Sequence, residues 1–184
     1  YPFVLSKLTN VPSNRILDVG CTSQHNYIVP TLSFSGWDTW GLDLRDWKFS
    51  HPNFKMIRGD IRDTNLAQES FDYVVCISVL EHIGLAGYYG YSKNGLDGDI
   101  RAAQEITKLL KHSGKLLLTI PYCNSYSVKS GTRIFNNDRL RMLFPEYNIL
   151  DRQIYKQDMV SGCWVKCDMD IKNEGVMCLE LVKK

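Results

Sequence analysis

The feature that most constrains this chain is a short apolar run near its beginning that ends in an acidic residue and a glycine. Residues 15–22 read Arg-Ile-Leu-Asp-Val-Gly-Cys-Thr. Branched apolar residues closed by a glycine are typical of a buried strand in a parallel sheet. Because open α/β sheets bind ligands outside the carboxyl ends of such strands, Asp18 and Gly20 predict the floor of a ligand crevice. The alternative is that Asp18 caps the following helix.

Each of the next three predicted strands also ends in a polar or small residue. These residues are Asp43 after strand 39–42, Asp60 after strand 54–58, and Cys76 and Ser78 at the end of strand 73–77. If the strands are parallel, the side chains converge with Asp18 at one edge of the sheet. A row of hydrogen-bond acceptors there suits a long ligand with hydroxyl groups and an amino group. Asp43 follows the first glycine turn at the distance typical of a carboxylate that binds ribose hydroxyls.

The rest of the chain alternates predicted helices and strands and ends with two strands in succession. This alternation indicates an α/β fold, and two strands with no helix between them favour an antiparallel pair. Pro30 is expected to interrupt a helix over 24–34, and Gly114 to end the best helix, 96–112. The other expected elements are a short helix within 1–14, a helix over 136–144, and strands over 115–120, 147–155 and 175–182, with a polar insertion over 156–174 between the last two.

Composition limits the class of protein. A chain of 184 residues, 44% hydrophobic and 23% charged, predicts one globular domain over 1–184, and Tyr1, which is no natural start, predicts missing residues upstream. A net charge of +2 argues against a nucleic-acid surface driven by bulk charge. No apolar run is long enough for a membrane span, and no signal peptide is visible. The six scattered cysteines favour a reducing, cytoplasmic location.

Five motifs, in order and at matching spacing over 16–120, resemble those of class I S-adenosylmethionine-dependent methyltransferases. They are Leu17-Asp18-Val19-Gly20-Cys21, Gly41-Leu42-Asp43, Gly59-Asp60-Ile61, residues 71–75 with Glu81-His82, and residues 109–115. Residues 78–84 and 97–99 resemble small-molecule members linked to surface-polysaccharide synthesis. The resemblance implies a doubly wound, Rossmann-like sheet of seven strands in the order 3-2-1-4-5-7-6, mostly parallel, with an antiparallel C-terminal strand.

The same resemblance implies S-adenosyl-L-methionine as the cofactor and assigns residues to it. Asp18 and Gly20 would hold the methionine end, Asp43 the ribose, and Asp60 the adenine amino group. Thr22 departs from the family, which usually has glycine there. The full cofactor-binding set is Asp18, Gly20, Cys21, Asp43, Leu44, Asp60, Ile61, Cys76 and Ser78.

The implied activity is transfer of a methyl group to a small-molecule acceptor, with a sugar or glycan hydroxyl or an amine as candidates. A hydroxyl acceptor needs a general base, for which the pKa of histidine is suited. His82 is the candidate and Glu81 could orient it; the alternative is that both are structural. Two other functions stay open: a catalytically silent cofactor-binding module, and an NAD-binding oxidoreductase or epimerase. The second is disfavoured because Thr22 and His25 replace two glycines of the dinucleotide fingerprint.

Segment 83–99 is glycine- and tyrosine-rich, which predicts either a lid over the substrate or a surface loop. The substrate-binding candidates are Tyr88, Tyr89, Tyr91, Tyr122 and Asn124.

No metal site is expected in this chain. Asp97 and Asp99 are better placed to cap a helix than to bind a divalent metal, and Cys163 and Cys167 lack the spacing of a zinc pair. Arg133 is expected to be solvated rather than to bind an acidic substrate group.

Overall fold

The computed structural model describes residues 1–9, 14–22, 26–85, 95–167 and 174–184. None of the helices within these ranges is both long and apolar enough to cross a membrane. The helices are α1 (Pro2–Leu8), α2 (Ile28–Phe34), α3 (Gly98–Leu109) and α4 (Asn137–Leu143). The strands are β1 (Arg15–Val19), β2 (Asp38–Asp43), β3 (Phe54–Arg58), β4 (Phe71–Ile77), β5 (Leu110–Tyr122), β6 (Ser127–Lys129), β7 (Thr132–Ile134), β8 (Tyr147–Gln157), β9 (Trp164–Cys167) and β10 (Gly175–Lys183).

The main sheet has the order β3-β2-β1-β4-β5-β10-β8-β9. Strands β1 to β5 pair in parallel, whereas β10 is antiparallel to both β5 and β8. The mostly parallel α/β architecture is therefore confirmed, but the count of seven strands is wrong. The eighth strand, β9, lies inside the predicted insertion 156–174 and pairs with the end of β8. Its four residues are exposed or half-buried, so no apolar alternation marked it in the sequence.

Both faces of the sheet are covered, which explains why the middle positions of the central strands, such as Ile16-Leu17 in β1 and Val74-Val75 in β4, are apolar and fully buried. On one face Ile16 of β1 packs with Phe3 of α1 and Ile28 of α2. On the other face its neighbour Leu17 packs with Ile106 of α3 and Leu143 of α4.

Two helix predictions are corrected. Helix α2 continues through Pro30, because a proline in the first turn replaces an N–H group that has no partner within a helix. The helix expected over 96–112 ends at Leu109, and β5 begins at Leu110. Gly114 lies within β5, where the register against β4 shifts between the pairs Phe71–Leu110 and Tyr73–Lys115. Leu110 is fully buried as the first residue of β5. Burial and pairing within the sheet therefore determine the conformation of this segment, rather than the helical spacing of its apolar residues.

The segments that flank residues 86–94 are held tightly together. The Gly95 N–H donates to the Gly84 carbonyl at 2.7 Å. Gly84 has a φ of +78°, and a Cβ atom on Gly98 would collide with the Ile83 carbonyl. Glycines here are required by the close approach of two backbones, so the ends of segment 83–99 are fixed relative to each other.

A buried ion cluster fixes the same region and corrects two predictions. Arg133 is fully buried rather than solvated, and its guanidinium donates to the carbonyls of Ile83 at 2.8 Å and Gly95 at 3.2 Å. Its Nε lies 3.4 Å from Asp99 Oδ1. Asp99 also accepts hydrogen bonds from Arg139 at 2.9 and 2.7 Å. Asp99 therefore balances two arginines and does not cap α3.

The helix-capping prediction for Asp97 is only partly met. Asp97 occupies the position before α3, but its side chain makes no capping hydrogen bond. Across the described residues, no group of three or more His, Cys, Asp or Glu side chains is arranged to bind a metal.

We expect Gly98→Ala to lower the free energy of unfolding by about 1–3 kcal/mol, the usual cost of overpacking, because the Ile83 carbonyl is backbone and cannot move aside. Gly95→Ala is the matched control, since its Cβ would have its nearest neighbours at 3.5 Å. Urea denaturation of both variants measures the difference. Equal stability of the two variants would contradict the proposed close packing.

Candidate active site

A crevice opens at the carboxyl ends of β1, β2, β3 and β4. Strand order reverses beside β1, where α/β sheets place their ligand sites. The crevice holds about 590 Å³, part of it open to solvent. It is lined by Val19, Gly20, Leu42, Asp43, Leu44, Arg45, Gly59, Asp60, Ile61, Ser78, Val79, His82 and Ile83.

Asp43 ends β2 and is nearly buried, with 8% of its surface exposed. Its Oδ1 accepts from the backbone N–H of Arg45 at 3.0 Å and from Arg45 Nε at 3.1 Å. Its Oδ2 accepts from the backbone N–H of Thr22 at 3.1 Å and from Arg45 Nη2 at 3.3 Å. Burial alone would raise the pKa of Asp43, but the hydrogen bonds from Arg45 and Thr22 outweigh it and hold the pKa below its ordinary value. Asp43 is therefore an anion at neutral pH.

Asp60 repeats this arrangement after the neighbouring strand β3. Its carboxylate accepts from the backbone N–H of Arg62 at 2.9 Å and from the Arg62 side chain at 2.6 and 3.1 Å. Asp60 and Asp43 thus stand side by side in the crevice, each with an arginine two residues later.

Asp18, Cys21 and Cys76 lie behind the crevice lining rather than in it. Asp18 is 3% exposed, and its carboxylate accepts a hydrogen bond from the Asn26 side chain. Asn26 in turn accepts from the backbone N–H of Ile28 at the start of α2. Burial raises the pKa of Asp18 to about 7, although the bond from Asn26 opposes the shift. Asp18 therefore does not itself cap α2, but it holds Asn26, whose side chain accepts from the first backbone N–H groups of the helix.

Gly20 and Ser78 are positions of the lining with a positive φ, which glycine adopts freely but serine adopts only with strain. Gly20 has a φ of +77°, and a Cβ atom there would collide with the side chain of Val79. Ser78 is a non-glycine residue with a φ of +51°. Its N–H donates to the Thr119 carbonyl at 3.0 Å, which ties the end of β4 to β5. Such backbone strain is concentrated at functional sites.

His82 lines the crevice and is oriented by the tight turn between β6 and β7. Its Nδ1 lies 3.1 Å from the Gly131 carbonyl, which can only accept, so Nδ1 carries the hydrogen and Nε2 is the basic atom of the neutral ring. Burial lowers the pKa of His82, as does the positive charge of Arg133, while the Gly131 carbonyl opposes both. The ring is therefore neutral at neutral pH.

Glu81 lies beside His82 but points into the protein. Its side chain is 3% exposed, and its Oε1 lies 3.9 Å from His82 Nε2. Its Oε2 is buried and has no hydrogen-bond partner among the described residues. Burial raises the pKa of Glu81 to about 8, so the group is mainly protonated at neutral pH.

The predicted substrate residues do not line the crevice in the described part of the chain. Tyr122 is buried at the end of β5, and Asn124 is exposed just beyond it. Tyr88, Tyr89 and Tyr91 lie outside the described residues.

Sequence reasoning missed several residues of the site, among them Arg45 in the lining and the Gly131 carbonyl that orients His82. The recurrence of Asp-x-Arg at 43–45 and 60–62 was the signal that could have found Arg45. Nothing local marked Gly131, because it meets His82 through a tertiary contact.

A family model matches more than half of the chain by sequence, including the crevice residues that follow β3 and β4. The model is DUF268, described as a Caenorhabditis protein of unknown function, and it matches residues 56–168. No curated protein matches the chain.

Solved structures with this fold include several methyltransferases. An S-adenosylmethionine-dependent methyltransferase from Methanosarcina mazei is 15% identical with a TM-score of 0.67, over 100% of this chain and 97% of that one. The N-methyltransferase NodS from Bradyrhizobium japonicum, in complex with S-adenosyl-L-homocysteine, is 13% identical with a TM-score of 0.68, over 99% and 84%. The 1,6-didemethyltoxoflavin-N1-methyltransferase from Burkholderia thailandensis is 12% identical with a TM-score of 0.64, over 94% and 72%. At these identities the likeness shows a shared fold.

We expect Glu81→Gln to gain stability relative to the native sequence as the pH rises. The folded protein keeps the Glu81 proton up to about pH 8, whereas the unfolded chain loses it near pH 4.5. The contribution of Glu81 is therefore complete below the lower pKa and is lost as the pH rises through the upper one. The neutral amide has no such loss, so the difference in free energy of unfolding should grow between about pH 5 and pH 9.

Urea denaturation across this pH range measures the difference. Glu146→Gln, at an exposed position, controls for the removal of one negative charge. A difference between Glu81→Gln and the native sequence that stays constant with pH would contradict the buried, protonated state.

Proposed function

We propose that this chain, which belongs to the DUF268 family, is an S-adenosylmethionine-dependent methyltransferase that acts on a small-molecule acceptor. The observation that carries the proposal is the pair of carboxylates, Asp43 and Asp60, that stand side by side in one crevice at the ends of β2 and β3. The names of the structurally similar proteins support the cofactor, and the name of the toxoflavin enzyme supports a small acceptor.

The crevice fits an adenosyl group on several counts. Asp43 can accept hydrogen bonds from two ribose hydroxyls and Asp60 from the adenine amino group, while Leu44 and Ile61 offer apolar contact to the ring. The Thr22 hydroxyl is buried with no partner among the described residues. Threonine at this position therefore offers a hydrogen-bonding group that the family's usual glycine lacks. Gly20 and Asp18 remain the candidates for the methionine end, with Asp18 acting from behind the lining.

The bound cofactor would supply a methyl group on a positively charged sulfur, which is already activated for transfer. The protein then has to align the acceptor and exclude water, and such orientation can contribute about 7–11 kcal/mol. A hydroxyl acceptor must also lose a proton. His82 can take that proton at Nε2, because the Gly131 carbonyl holds the hydrogen of the neutral ring at Nδ1.

A basic histidine in the crevice favours a hydroxyl acceptor, such as that of a sugar or glycan. Tyr122, Asn124 and the tyrosines of segment 83–99 remain candidates for acceptor contact. The buried, unpaired thiols of Cys21, Cys76 and Cys178 support a cytoplasmic, reducing location.

We expect Asp43→Ala to weaken binding of S-adenosyl-L-homocysteine at least about tenfold, because at least one charge-assisted hydrogen bond is lost. Isothermal titration calorimetry measures the affinity. Asp38→Ala is the matched control, since Asp38 lies at the opposite end of the same strand and should leave the affinity within about twofold. Binding of NAD without binding of either S-adenosyl compound would overturn the proposed function.

We expect His82→Gln to lower turnover by about 10²–10⁴-fold, the usual contribution of a general base, with little change in affinity for S-adenosyl-L-homocysteine. Turnover of the native sequence should fall at low pH, where His82 becomes protonated. A coupled assay for released S-adenosyl-L-homocysteine, run over a panel of sugars and nucleotide sugars, measures both. Turnover of the variant equal to that of the native sequence would remove the role of base, and cofactor binding with no turnover on any acceptor would favour the silent binding module.

A further inference from the structure

The acceptor positions of the Asp43 carboxylate are already in use, so a ribose can bind there only after a donor has been displaced. A carboxylate offers about four acceptor positions on its two oxygens. Asp43 uses them for the backbone N–H of Arg45, Arg45 Nε, the backbone N–H of Thr22 and Arg45 Nη2. A nucleoside that donates two hydroxyl hydrogens to this carboxylate must therefore displace donors that are already present.

The four donors differ in how easily they can leave. The two backbone N–H groups are fixed by the turn after β1 and by the bend that follows β2. The Arg45 guanidinium is carried on a side chain that is 45% exposed, against 6% for the Asp43 side chain. When the guanidinium moves away, water can replace Asp43 as its hydrogen-bond partner. The guanidinium is therefore the donor that a ligand displaces most easily.

We propose that Arg45 is an internal competitor for the ribose site, which occupies Asp43 when the cofactor is absent and lowers the affinity for cofactor and product. This inference rests on the proposed function and adds to it. The competition favours release of the demethylated product, since the guanidinium can return to Asp43 as the ribose leaves. It also gives the buried anion a positively charged partner between turnovers, in addition to its backbone N–H donors.

The size of the effect follows from the strength of such a pair. An ion pair with one exposed partner stabilises the folded protein only modestly. A well-aligned, charge-assisted hydrogen bond between such groups stabilises it more. Removal of the competing guanidinium should therefore tighten binding of S-adenosyl-L-homocysteine by about three- to tenfold. A residue that simply lined the cofactor site would give the opposite sign on removal.

The test is calorimetric titration of the whole chain with S-adenosyl-L-homocysteine, using the native sequence, Arg45→Met and Arg45→Gln. The matched control is Arg15→Met, which removes an arginine bonded to Asp38 at 2.6 Å at the other end of β2. We expect tighter binding in both Arg45 variants and unchanged binding in the control. Because salt weakens ion pairs, we also expect the advantage of the Arg45 variants over the native sequence to shrink between low and high salt.

Three results would overturn the inference, and they are distinguishable. Equal affinity of the native sequence and both Arg45 variants would show that the guanidinium does not compete. Weaker binding in the Arg45 variants, with the control unchanged, would show that Arg45 contacts the ligand. Absence of S-adenosyl-L-homocysteine binding in every protein, including the native sequence, would overturn the proposed function and the inference with it.

Discussion

Burial of the sheet on both faces is the constraint on which the rest of this structure depends. Helices α1 and α2 cover one face and α3 and α4 the other, so side chains from the middle of β1, β4 and β5 have no access to water. Polar groups in such a sheet are tolerated where the strands end. Asp43 and Asp60 accordingly lie at the carboxyl edge, where strands β2 and β3 end and the crevice opens.

The carboxyl groups near this edge fall into two classes according to what surrounds them. Asp43 and Asp60 are each held by an arginine and backbone N–H groups, which favour the anion. Asp18 and Glu81 are buried without a positively charged hydrogen-bond partner among the described residues, which favours the protonated form and raises the pKa of each, to about 7 and about 8. Carboxyl groups thus serve as anionic acceptors in the crevice, whereas behind it their surroundings favour the protonated form.

Much of this arrangement could be predicted from the sequence, because it is encoded locally. Hydrophobic runs marked the strands, and the acidic residues at their ends placed Asp43 and Asp60 in one crevice. Contacts between distant segments could not be read in this way. Arg133 was expected in solvent, yet it is fully buried because Asp99, 34 positions earlier, and the carbonyls of Ile83 and Gly95 meet it. Strand β9 was missed because backbone pairing with β8, rather than apolar alternation, creates it.

The buried ion cluster connects the fold to the chemistry proposed for the crevice. Arg133 donates its backbone N–H to the Glu81 carbonyl at 3.0 Å, and its charge helps to lower the pKa of His82. Asp99 balances that charge, but Arg139 shares the same carboxylate, so the cluster keeps a net positive charge near the histidine. A positive charge that is buried cannot be screened by salt as a surface charge is. Burial is the main cause of the lowered pKa of His82, and Arg133, which does not line the crevice, adds to it through its charge. A search for residues that influence the histidine would therefore miss Arg133 if it were confined to the lining.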